Sequence, residues 1–357
     1  MSVSPSQFRP PGETVVKPMP SVPSTVLGKR TAFPVLSTHR RRDDRASTPG
    51  SRDAERAMSP GTPKGGSRGS GECQFSQLLQ SVSDACFAKF QRLVEAESGI
   101  YLPPSKKPLL VGRLAGRLRQ LGLSGMAEYY RYVKADPSEC TRMIDCISTN
   151  ETQFFREPVH FDFLTSHVFP QWWTQANAGK RPRSVRAWSA GCSTGEEPYS
   201  LAMVLLDHFP PISDWQVDIL ATDISTRVLD RAQAGVWPLE KSRRIPPEYL
   251  KSYMLRGVHE CQGSMKAGRE ISRVVRFEHG NLLRDGWHTY PQRFDLIFCR
   301  NVLIYFQPEG KARVVNSLIN RLAPDGFLFV GHSESLHDLT GRVRSVIPTV
   351  YTLASES

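Results

Sequence analysis

The 357-residue chain is short of the features expected of a secreted, metal-stapled or membrane-spanning protein. Its seven cysteines, Cys73, Cys86, Cys140, Cys146, Cys192, Cys261 and Cys299, contain no CxxC pair and no His partner at finger spacing. That argues against a structural metal site and against a disulfide framework. Reduced thiols in a cytoplasmic protein are the simpler reading. No stretch approaches the roughly 18 uncharged apolar residues that a membrane helix requires, and prolines break MSVSPSQFRPPGETVV before an apolar signal core forms. Aromatics are nearly missing from residues 1–71, where only Phe8 and Phe33 stand among 10 Pro, 8 Gly and 11 Ser. Such a segment buries too little apolar area to offset its ordering entropy, so residues 1–72 are expected to be a disordered tail ending in the linker SPGTPKGGSRGSGE. Acids are scarce there as well: 12 Lys and Arg face 5 Asp and Glu, which puts +7 of the chain's formal +11 in the tail. The basic balance that suggests nucleic-acid binding therefore belongs to an appendage, and no nucleic-acid partner is expected. An arm for anionic surfaces stays open beside a plain solvated tail.

From Phe75 the pattern changes. FSQLLQSVSDACFAKFQRLVEAESG, KPLLVGRLAGRLRQLGL and CTRMIDCIST repeat apolar residues three and four apart, separated by GIYLPPS and ADPS. This predicts a small all-helical domain over residues 73–150. Residues 151–183 read as a connecting segment. Beyond them the short apolar runs SVRAWSA, QVDILATD, VVRFEHG, FDLIFCRN and GFLFVGH alternate with helical stretches such as EPYSLAMVLLDHF, STRVLDRAQAG and PEGKARVVNSLINRLAP. Strand and helix in alternation indicate an α/β domain over 184–354, with a parallel sheet covered on both faces. The final run, TVYTL, follows without an intervening helix and suits an antiparallel edge strand. Residues 239–273 interrupt the rhythm and read as an insertion.

The first strand runs into WSAGCSTGEEPYSLAM, whose small residues let the backbone approach a ligand just before a helix N-terminus. It is not the GxGxxG of a dinucleotide fold, and Glu196 and Glu197 would repel a pyrophosphate. The second strand ends at Asp223, where a carboxylate can accept both hydroxyls of a ribose; capping the following helix is the competing role. A glycine turn, acids and such an aspartate together imply an adenosine ligand with positive charge, which S-adenosylmethionine fits better than a nicotinamide nucleotide.

NETQFFRE (150–157), WSAGCSTGEEPYSLAM (188–203), ATDIS (221–225), GNLL (280–283), FDLIFCRNVLIYF (294–306) and GHSES (331–335) resemble, in order, the signature blocks of CheR-type chemotaxis receptor glutamate methyltransferases. The resemblance spans about 75–354 and leaves the tail without a counterpart. It implies a Rossmann-like S-adenosylmethionine-dependent methyltransferase domain with a small β insertion, preceded by the helical domain. Cofactor contacts fall by this resemblance on Asn150, Thr152, Arg156, Glu197, Asp223, Asn281, Leu282, Arg300 and Asn301, and no metal is implied. Tyr305 matches a tyrosine beside the transferred methyl, against the plainer role of a core aromatic. Arg113 and Arg119, in the run Lys106, Lys107, Arg113, Arg117, Arg119, match arginines that meet the substrate or organise the site. Positions six apart on a helix point about 120° from each other, so those two arginines are expected to do different jobs. The implied reaction converts receptor glutamates to methyl esters and leaves S-adenosylhomocysteine. The implied partner is the cytoplasmic domain of a chemoreceptor, met by a monomer that is not itself a membrane protein. In some members the insertion docks a short peptide from the receptor's C-terminus, while a purely structural excursion is the alternative here. A catalytically silent S-adenosylmethionine-binding regulator is the rival function.

Overall fold

The computed structural model describes residues 8–9, 78, 80, 82–284, 293–337 and 339–354. The expected disordered tail and its linker lie outside the described residues, apart from Phe8–Arg9, which form a short strand, β1.

The helical domain follows with α1 (Asp84–Ser98), α2 (Lys107–Leu121), α3 (Met126–Ala135) and α4 (Pro137–Ile147). Their starts are written in the sequence. Ser83 accepts a hydrogen bond from Cys86 N at α1, and Asp136 accepts one from Ser138 N beside the first-turn proline of α4. Phe90, Leu110, Leu114, Tyr129 and Met143 are fully buried where the helices meet. A charged group is drawn in with them: Glu139, 0 % exposed, accepts from Arg117 Nε at 2.8 Å and Nη2 at 2.5 Å, and from the Tyr129 hydroxyl at 2.9 Å.

Residues 151–183, read from sequence as a connection, carry α5 (Pro158–Phe163), a π-helical turn (Leu164–Val168) and α6 (Phe169–Asn177). Phe161, Leu164, Phe169 and Trp172 enter the main core. Pro170 explains both the geometry and the missed helix. It offers no N–H and crowds the carbonyl four residues earlier, so the ladder widens ahead of it and the apolar period is disturbed.

The larger domain runs β2 (Ser184–Ala190), α7 (Glu196–His208), β3 (Gln216–Asp223) and α8 (Thr226–Ala234). An inserted subdomain comes next: β4 (Val236–Pro238), α9 (Pro247–Tyr253), β5 (Met254–Gly257), β6 (Ser264–Ala267) and α10 (Arg269–Arg273). The chain closes with β7 (Val275–His279), β8 (Phe294–Cys299), α11 (Pro308–Arg321), β9 (Leu322–Val330), β10 (Val343–Ile347) and β11 (Val350–Leu353). The main sheet has the order β10-β11-β9-β8-β2-β3-β7, with β7 to β9 parallel and the last two strands antiparallel. TVYTL is thus antiparallel as expected, but β10 lies outside it and forms the edge. VRSVI of β10 is largely exposed and carries no apolar run that would mark a strand. In α7 every residue from Glu196 to Leu206 is buried, so the helix is covered on all sides and lacks an amphipathic stripe.

Candidate active site at the switch point of the sheet

The chain leaves β2 toward β3 and β7 on one side and later returns to place β8 on the other. Where strand order reverses, the loops at the carboxyl ends of β2 and β8 part and leave a crevice. There the structure holds a cavity of about 740 Å³, roofed by the helical domain. All nine residues assigned to the cofactor line it, as does Tyr305; Arg113 and Arg119 do not.

The turn after β2 forms one wall. Gly191 has φ +90° and a Cβ there would sit 2.4 Å from Val302 Cγ2, so only glycine lets the two loops approach. Gly191 N and Cys192 N both donate to Thr222 O, at 2.8 and 2.9 Å. Asp223 accepts from Ser193 N at 2.8 Å through one oxygen and from Ser225 N at 2.9 Å through the other. It therefore ties the first two loops together and does not cap α8, whose N-cap residue is Ser225. Burial pushes the Asp223 carboxyl above its ordinary range while the Ser225 and Ser193 N–H groups pull it back. Each of its oxygens keeps a lone pair for a further donor.

The paired glutamates separate. Glu196 is 0 % exposed, lies outside the cavity wall, and binds Lys241 and the Thr194 hydroxyl. Glu197 lines the cavity, accepting from Ser189 Oγ at 2.7 Å and from Arg300 Nε at 2.8 Å. The Arg300 side chain is 1 % exposed. Its guanidinium packs over the Phe298 and Phe161 rings and also donates to Arg156 O and to His160 Nδ1. Arg300 thus holds Glu197 from behind the wall as well as lining it.

The Asn150–Glu157 segment crosses the crevice with two non-glycine residues in the left-handed region, Phe155 (φ 50°) and Glu157 (φ 55°). Such backbone persists only when pinned. Ser200 Oγ accepts from Phe155 N, Arg300 donates to Arg156 O, and Glu157 Oε1 accepts from His332 N. Asn150 O accepts from Ser193 Oγ at 3.0 Å. Arg156 donates to Glu151 O and makes no ion pair among the described residues, so a ligand carboxylate can claim it. Thr152 completes this wall.

Asn281 and Leu282 line the far side. The Asn281 amide donates to Glu97 O at 2.8 Å and accepts from Leu283 N at 2.9 Å, so its side chain also fastens the roof. Tyr305 sits on a one-turn helix, Leu303–Tyr305, and its carbonyl accepts from Tyr101 N at 2.8 Å, a second tie to the roof. Asn301 takes φ 59° and lines the cavity, while its Oδ1 is buried without a partner among the described residues. Arg113 donates to Ile147 O and to Thr149 Oγ1, and so braces the chain just ahead of Asn150 from outside. Arg119 is exposed.

Sequence reasoning quoted Glu334 within GHSES but gave it no role. Its buried carboxylate collects Gly331 N at 2.6 Å, Asn301 N at 2.8 Å and Ile304 N at 3.2 Å, and so folds the loop that carries Asn301 and Tyr305. A buried carboxylate gathering backbone donors leaves no mark in periodicity or spacing.

Known proteins place this architecture. Residues 85–148 match the family described as CheR methyltransferase, all-alpha domain, and residues 150–352 match CheR methyltransferase, SAM binding domain. The chain is 36% identical over 291 residues to the chemotaxis protein methyltransferase of Escherichia coli (strain K12), covering 79% of this chain and 97% of that protein. It is 39% identical over 257 residues to chemotaxis protein methyltransferase 2 of Pseudomonas aeruginosa, covering 72% and 89%. With the helical roof and the crevice domain both matched in order, the chain belongs to the CheR methyltransferase family, with S-adenosylmethionine as its cofactor.

Proposed function

We propose that this chain transfers the methyl group of S-adenosylmethionine to glutamate side chains in the cytoplasmic domain of methyl-accepting chemotaxis receptors, forming glutamate methyl esters and S-adenosylhomocysteine. The observation that carries the reading is the convergence of Asn150, Arg156, Glu197, Asp223, Asn301 and Tyr305 on one cavity of about 740 Å³. Their chemistry suits the cofactor. The free lone pairs of Asp223 accept ribose hydroxyls, Arg156 pairs with the amino-acid carboxylate, and Glu197 faces the cationic end. When bound, the cofactor supplies an electrophilic methyl group on a sulfonium.

The acceptor is a carboxylate, already ionised at neutral pH, so no general base is needed; among the described residues none that lines the cavity is His or Cys. What the chain contributes is placement. Lys106 at the cavity wall attracts the incoming carboxylate, the roof excludes water, and the Tyr305 hydroxyl orients the reacting groups. The test is transfer of tritiated methyl to receptor-containing membranes, with release as methanol in base. A base-labile signal is expected. Cofactor binding with no transfer would instead support the silent regulator.

A further inference from the structure

The insertion's sheet has the order β1-β5-β6-β4, so its outermost strand comes from the far N-terminus of the chain. β1 runs antiparallel to β5, with Phe8 opposite Gly257 and Arg9 opposite Arg256. β5 has β6 on its other side, so without β1 it would be an edge strand presenting unpaired N–H and C=O groups, a ready template for any extended segment. The flanking sequence suits a short, self-limiting strand. Pro10 and Pro11 follow Arg9 directly and have no N–H to continue the ladder. The receiving strand is equally bounded: a Cβ at Gly257 would lie 2.0 Å from Cys261 O, so the following turn closes against the last residue of β5 and allows only glycine there.

We propose that this chain's own N-terminal segment around Phe8–Arg9 is the resident occupant of the outer edge of β5, and that it competes in cis with any extended peptide another protein offers to that edge. A ligand on the same chain acts at a high effective concentration. An edge left open a tenth of the time binds an outside peptide about tenfold more weakly than an edge always open. The inference does not depend on which substrate is methylated, and it gives the N-terminal tail a function that its charge does not supply.

The probe is a fluorescent synthetic peptide of residues 4–13, SPSQFRPPGE, titrated by anisotropy against the full chain and against the full chain carrying Phe8→Pro and Arg9→Pro. Two prolines remove the N–H donors of β1 whichever of its two residues faces β5, and leave the folded domains untouched. The peptide is expected to bind the double variant at least about tenfold more tightly than the unaltered chain. A peptide carrying the same two prolines is expected to bind neither. Equal binding to both proteins, binding to neither, or undiminished binding of the proline peptide overturns the proposal. S-adenosylhomocysteine binding, measured in parallel and unchanged, shows that both proteins are folded.

Discussion

At the scale of single residues, one directed chain of hydrogen bonds fixes the back of the site. Arg300 Nη1 donates to His160 Nδ1 at 3.3 Å, which leaves the His160 proton on Nε2, 2.8 Å from Thr349 Oγ1; that hydroxyl in turn donates to Pro348 O at 2.6 Å. A second proton on His160 would have to sit on Nδ1, facing a guanidinium. Burial, then the charges of Arg300 and His332, accordingly lower its pKa to about 3, although Glu157 lies 3.5 Å away. The unfolded chain takes up the proton near 6.5 and the folded chain does not. The neutral histidine thus contributes stability that is complete above 6.5 and is lost as pH falls toward 3, at about 1.4 kcal/mol per pH unit. Urea unfolding at pH 7, 6, 5 and 4 should show the natural protein losing stability faster than His160→Gln by about that slope, since the carboxylates common to both cancel. Parallel curves would mean that His160 is protonated in the fold. Glu334 makes a second case. Glu334→Ala strands three backbone donors, at Gly331, Asn301 and Ile304, and should cost about 3 kcal/mol in urea unfolding while weakening S-adenosylhomocysteine binding. Loss of stability with unchanged affinity would separate that loop from the cofactor.

At the scale of elements, the helical domain completes the larger one. Asp145, on α4, accepts from the Thr226 hydroxyl at 2.8 Å and from Arg227 N at 3.4 Å, capping α8 across the domain boundary where its own N-cap, Ser225, makes no side-chain bond. Arg227 returns a bond to Asp145 O at 3.0 Å. Asp145→Ala should therefore lower stability by about 1 kcal/mol, as loss of a cap does, and loosen the roof enough to weaken S-adenosylhomocysteine binding in calorimetry. Asp145→Asn, which keeps an accepting oxygen, should recover most of both. Stability lost without affinity lost would show the roof to be unnecessary for the cofactor. Such a cap, like the bonds of Asn281 to Glu97 O and of Tyr101 N to Tyr305 O, joins residues distant in sequence. That is why alternation of apolar runs revealed strands and helices but not the joints between them. The same limit hid β10, whose exposed residues carry no pattern, and α5 to α6, where Pro170 disturbs it. The glycine turn and Asp223 were legible because close approach to a ligand restricts residue type locally.

At the scale of the whole molecule, charge was the most visible feature of the sequence and the least informative about the site. Most of the excess sits in residues 1–71. The basic run from Lys106 to Arg119 is largely spent within the fold: Lys107 pairs with Asp84 at 2.9 Å, Arg113 binds Ile147 O and Thr149, and Arg117 binds Glu139. Only Lys106 and Arg119 of that run have side chains without a hydrogen bond or ion pair among the described residues. They are not equivalent. Lys106 lines the cavity, whereas Arg119 is thirteen positions further along, about 20 Å down the helix. At physiological salt a charge is largely screened beyond about 8 Å, so Arg119 cannot help draw a carboxylate into the crevice, and Lys106 can. If receptor glutamates are the substrate, Lys106→Glu should raise the KM for receptor several-fold and flatten the dependence of rate on salt, while S-adenosylhomocysteine affinity changes little. Arg119→Glu should leave KM and the salt slope nearly as they are. Initial rates of methyl transfer between 50 and about 300 mM NaCl decide the matter, because like effects of the two substitutions would mean that the receptor is met by the length of α2 and not at the mouth of the cavity.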